Sequence, residues 1–107
     1  MNYQLVLKFQ GDDEETIDQV IELEDQLIDS LDGSKLAEVD GHEPGEGVVH
    51  LNLLTRNPGK VWEKIEPLVE AAASENLEIV AVAYRQVDSE DFTVLWPTDF
   101  EGEFEAV

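Results

Sequence analysis

The sequence predicts one α+β domain, and three observations carry that expectation. Apolar residues recur with period two in short runs and at three- and four-residue spacing in two longer ones. The two kinds of run interleave along 107 residues, room for a single core. Hydrophobic residues make up 42% of the chain despite a formal net charge of −20, so the acidity does not mark a disordered tail.

The first run, Tyr3 to Phe9, sets Tyr3, Leu5, Leu7 and Phe9 on one side and Gln4, Val6 and Lys8 on the other, the pattern of a strand with one buried face. Gly11 ends it. Four acids, Asp12 to Glu15, then stand where a helix N-terminus favours negative charge. Ile17, Val20, Ile21, Leu27, Ile28 and Leu31 follow as the apolar stripe of a helix that stops near Asp32-Gly33. A short second strand over Lys35 to Asp40 leads to Gly41-His42-Glu43-Pro44-Gly45-Glu46-Gly47, whose glycines and proline mark a loop.

Val48 to Thr55 reads as a third strand with Val49, Leu51 and Leu53 toward a core and Val48, His50, Asn52 and Leu54 away from it. Asn57-Pro58-Gly59 opens a second helix, capped by Asn57, with Val61, Trp62, Ile65, Leu68, Val69 and Ala72 on its apolar side. Pro67 predicts a kink or break inside it. Leu77 to Val87 is the fourth strand, apolar on both sides and so central or covered. A turn at Asp88 to Asp91 returns the chain into a fifth strand, Phe92 to Trp96, which Pro97 ends.

This order predicts a ferredoxin-like split βαβ (βαββαβ) antiparallel sheet with two helices on one face, plus a C-terminal fifth strand. Right-handed crossovers put both helices on the same side. Leu5, Leu7, Leu51 and Leu53 are then expected beneath Ile21, Ile28, Ile65 and Leu68. The domain spans residues 1–97, and 98–107 form an acidic tail that is either disordered or docked by Phe100 and Phe104. The opposite sheet face is expected to be open and half apolar. Such a face, or the fifth strand, would pair two chains in a homodimer unless the tail covers it.

Charge bounds the partners. Six Lys plus Arg against 26 Asp plus Glu exclude nucleic acid, whose binding needs cations to release phosphate counterions, and an anionic membrane surface by the same sign. No stretch has the roughly 18 apolar residues of a membrane helix and the first residues lack a signal-peptide pattern, so the expected location is cytoplasmic. With no cysteine, disulfides, thiolate metal sites and thiol nucleophiles are out.

The acids concentrate on the first helix. Asp12, Asp13, Glu14, Glu15, Asp18, Glu22, Glu24, Asp25, Asp29 and Asp32 occur with no base among them, so the i,i+4 pairs that usually neutralise a helix surface are missing. Such a run is either a solvated face that serves solubility or high-salt adaptation, or a surface for a basic protein. The functional reading takes Glu14, Glu15, Asp18, Glu22, Asp25 and Asp29 as protein-binding residues of a non-catalytic module. The alternative is a small-molecule site or small enzyme on the open sheet face, built from Lys8, His50, Asn52 and Arg85.

No catalytic residue, cofactor or metal site is assigned. Neither the Asp12 to Glu15 run nor the Asp40 to Gly47 loop fits a calcium-loop pattern, and Asp40, His42, Glu43 and Glu46 offer at most a weak divalent-ion site. His42 in a glycine-rich loop is the other titratable candidate for a general base. No serine sits in a nucleophile elbow, and the glycine-rich loop precedes a strand, whereas a phosphate cradle needs a helix.

The segment from Glu38 to Leu51, with Asn57-Pro58 opening the second helix and Tyr84-Arg85 in the fourth strand, resembles a set of small acidic bacterial proteins of unassigned function. The resemblance covers roughly residues 1–97 and implies bacterial origin and a ferredoxin-like fold, and it transfers no catalytic residue. Acidic immunity proteins and nucleic-acid mimics are similar in charge alone.

Overall fold

In the computed structural model, which describes residues 2–31, 36–45, 47–74 and 77–96, the chain is α+β. In order it forms β1 (Tyr3–Gln10), α1 (Glu14–Leu31), β2 (Ala37–Pro44), β3 (Val48–Thr55), α2 (Pro58–Ala73), β4 (Ile79–Gln86) and β5 (Thr93–Trp96). The strands make one antiparallel sheet in the order β2-β3-β1-β4-β5. The first strand of the chain is therefore central, with Leu5 opposite Leu53 on one side and Tyr84 on the other.

Both helices pack on one face. Leu5, Leu7 and Phe9 of β1, Val49, Leu51 and Leu53 of β3, and Val82 of β4 are buried with Val20, Leu23, Leu27 and Leu31 of α1 and Val61, Ile65 and Val69 of α2. The alternation in β1 and β3 thus folds as its period dictates. The phase of α1 differs from the sequence reading. Its buried stripe runs Val20, Leu23, Leu27, Leu31, while Ile21 is half-buried and Ile28 is 48% exposed. Ile21 and Ile28 lie on the flank beside a stripe of three leucines, which fills the sheet contact. In α2, Ile65 is buried and Leu68 packs partly against the core.

The turns are held by named groups. Asp13 precedes α1, its carbonyl accepting the Ile17 N–H at 3.0 Å and its carboxylate the Thr16 hydroxyl. Gly11, at φ +104°, turns β1 toward α1. The Gly11 N–H donates to the Gly47 carbonyl at 2.7 Å, and the Gly47 N–H to the Asp12 carboxylate at 3.0 Å, which ties the start of α1 to the β2–β3 hairpin. Asn57 caps α2 by accepting the Lys60 N–H at 3.1 Å. The buried Thr55 hydroxyl donates to the Leu36 carbonyl at 2.8 Å and accepts from the Asn57 N–H at 3.0 Å.

Three further expectations are corrected. β2 is not a short strand ending at Asp40 but runs to Pro44, taking up most of the expected loop. A bulge lets it continue: Val39 faces Leu53 and Gly41 faces Asn52, leaving Asp40 as the extra residue, and Gly41 supplies the φ of +128°. Pro44 is tolerated at the last position of an edge strand. Pro67 does not break α2, which is continuous from Pro58 to Ala73.

The face away from the helices is not open at its centre. Val6, Ala81 and Ala83 are 1, 0 and 0% exposed, packed with Val80, Phe92 and Val94. The small alanines let Phe92 and Val94, from the return of the chain after β4, lie close. The helix stop at Asp32-Gly33, the strand start at Lys35, and the tail 98–107 with Phe100 and Phe104 lie outside the described residues.

Candidate functional site

On α1 the structure leaves Glu14, Glu15, Asp18, Glu22, Asp25 and Asp29 exposed. Asp13, Glu14, Glu15, Asp18 and Glu22, with Gln19, border an open depression of about 580 Å³ at the start of the helix. Ile28 breaks the surface between Asp25 and Asp29. Glu24 is set apart, because it turns to β2, where its carboxylate lies 3.2 Å from Nδ1 of His42. A carboxylate only accepts, so the contact places the ring proton on Nδ1. The register of β2 explains the meeting: His42 is opposite Leu51, on the helix face. His42 therefore packs a strand against a helix instead of standing in a loop.

Lys8, His50, Asn52 and Arg85 share the other face, as alternation requires, with Lys8 directly opposite His50. His50 and Asn52 are buried, 3% and 9% exposed, while Lys8 and Arg85 are half-exposed. Arg85 is engaged in the local fold. Its Nε donates to Gln4 Oε1 at 2.8 Å, and its Nη1 donates to the carbonyls of Val87 and Ser89 at 3.2 and 2.6 Å. Its guanidinium lies 5.8 Å from the centre of the Phe92 ring. Gln4 passes the connection on, its Nε2 donating to Asn52 Oδ1 at 3.3 Å. The arrangement can close the β4–β5 turn onto the sheet. It presents no titratable group to solvent beyond the half-exposed Lys8 and Arg85. Among the described residues, no three His, Asp or Glu side chains converge as a metal-holding group.

Sequence reasoning did not find an apolar cleft on the helix-bearing side of the sheet. It has a volume of about 550 Å³ and lies between α2 and the β4–β5 edge of the sheet. Trp62 and Trp96 form its aromatic walls, and Val69, Leu77 and Ile79 are among its apolar lining. Glu66, Glu70 and Glu78 also line it. On α2 the lining residues Trp62, Glu66, Glu70 and Ala73 follow helical spacing, which was a legible signal. The strand side was not legible. Trp96 faces Val82 and Val94 faces Ala83, so Leu95 is a bulge residue and both Leu95 and Trp96 turn to the helix face.

No protein-family model matches this chain, and no curated protein matches it. Among the described residues no helix is long and apolar enough to cross a membrane.

Proposed function

We propose that the protein is a non-catalytic binding module whose α1 surface engages a basic protein partner. One observation carries this reading: six exposed carboxylates run along a helix without a base, and the exposed Ile28 lies between the last two of them. A cationic partner would be steered by the field of these acids and would find at Ile28 an apolar contact to desolvate. Solubility alone accounts for the carboxylates and leaves the isoleucine without a role. We also read the sheet as a ferredoxin-like split βαβ arrangement with an added edge strand. The central position of β1 supports this, since each helix then links two strands separated by one other.

The test is retention from a cell lysate on the immobilised protein at about 0.05 M and about 0.3 M salt, between which screening shortens about twofold. The native chain is expected to hold a basic protein at the lower salt and release it at the higher. A variant carrying Glu22→Lys and Asp29→Lys is expected to hold it at neither. Recovery of the same partners by native and variant chains would make the acids solvated surface.

A further inference from the structure

We propose that the cleft between α2 and the β4–β5 edge is a second binding site, independent of α1, and that its ligand is an organic cation with an apolar body, of the alkyl- or aryl-ammonium class.

Size is the first argument. About 550 Å³ lies inside the range of small-molecule pockets, roughly 300–1,000 Å³, and is too large for a bare ion. Lining chemistry then selects the ligand. Val69 and Leu77 are buried, Ile79 is half-buried, and these apolar residues favour a ligand with hydrocarbon to remove from water. Two indoles at the walls favour a cation, since tryptophan is the strongest aromatic partner for one. The three carboxylates of Glu66, Glu70 and Glu78 act in the same direction, and among the described residues the lining has no Lys, Arg or His.

Competing ligand classes each meet one of these features badly. An anion would be repelled by the three glutamates and by a chain of net charge −20. A neutral apolar molecule would fill the floor and gain nothing from the three glutamates or from the affinity of indoles for cations. A divalent metal ion would need converging oxygens, and these acids do not form a metal-holding group among the described residues. An ammonium group on an apolar stem satisfies the walls, the floor and the charge together.

The chain offers its own reporter. It contains two tryptophans, Trp62 and Trp96, and both line the cleft. Indole emission therefore reports from the walls of this site. Hexyltrimethylammonium, 1-heptanol and heptanoate present similar hydrocarbon with positive, neutral and negative heads. Each is titrated into the full chain, with emission and heat of binding recorded in parallel. The expected result is saturable binding of the cation, at least about tenfold tighter than heptanol, with heptanoate weakest of the three. Glu66→Gln, Glu70→Gln and Glu78→Gln combined should bring the cation to within about threefold of heptanol. A charge-matched control, Glu38→Gln with Asp40→Asn and Glu43→Gln on the far edge strand β2, should retain most of the cation's affinity.

Circular dichroism is recorded on both variants to check that they fold. Should the glutamine triple not fold, Glu66→Gln alone, at a half-exposed position, is expected to lower cation affinity with little change for heptanol. Three results would each overturn the proposal: no saturation in either signal, heptanol binding as tightly as the cation, or an equal loss of affinity in the β2 control. The last would show that the cation responds to the diffuse charge of the whole chain.

Discussion

Replacing Glu22 and Asp29 by lysine should stabilise the fold while it disables the α1 surface. Asp18 and Glu22 are one helical turn apart, as are Glu22 with Asp25 and Asp25 with Asp29, and all four are exposed. In the native chain each pair is repulsive; in the variant each is attractive. A pair of either sign contributes about 0.2–0.5 kcal/mol, so each change of sign is worth about 0.4–1 kcal/mol. Summed over the three pairs and halved for solvent screening, the gain is about 0.6–1.5 kcal/mol. Lysine at position 29 adds a few tenths of a kcal/mol, because α1 ends at Leu31 with no base in its last turn.

For a domain of this size that corresponds to a rise of about 4–8 °C in Tm at low salt. The assay is thermal unfolding by circular dichroism at about 0.02 M and at about 1 M salt, where the screening length falls to about 3 Å. The difference should be largest at low salt and shrink to near zero at high salt. A variant that melts at or below the native temperature at low salt would refute the reasoning, since the carboxylates would then not be repelling one another.

Other perturbations test the frame around that surface. Leu51→Ala, at a fully buried position of β3 beneath both helices, should cost about 2–5 kcal/mol in urea unfolding. Thr55→Val keeps shape but removes both hydrogen bonds of the buried hydroxyl, to Leu36 and from Asn57, and should cost about 1–3 kcal/mol, whereas Thr55→Ser should cost less. Gly11→Ala places a Cβ 2.9 Å from the Thr16 hydroxyl in a backbone at φ +104°, and a loss of about 1–3 kcal/mol is expected by the same assay.

How legible these features were depends on what fixes each one. Leu5, Leu7, Leu51 and Leu53 could be assigned to the core from alternation alone, because period two leaves a strand a single choice of face. α1 was harder. Its sequence holds two adjacent apolar stripes, one through Leu23 and one through Ile21 and Ile28, and only packing against the sheet decides between them. Gly41 and Pro44 signal a loop locally, yet an edge strand can use a glycine for a bulge and a proline at its end. Alternation put His50 and Asn52 on one face and carried no information on what would lie over it. The bulge at Leu95 hides Trp96 from the same reasoning, and with it the cleft. The acids of α1 were fully legible, since repulsion keeps such a face in water.

The central position of β1 has a consequence for synthesis. Within this chain β1 is made before either strand it pairs with, and Gln4 must wait for Arg85, 81 residues further on. Its row of Leu5, Leu7 and Phe9 therefore stays without the fourth strand until residues 79–86 have been made, the state in which apolar strands from different chains associate. The acids from Asp12 to Glu15 follow at once in the sequence. They give the waiting strand a charged neighbour that keeps two nascent chains apart, the role of a gatekeeper.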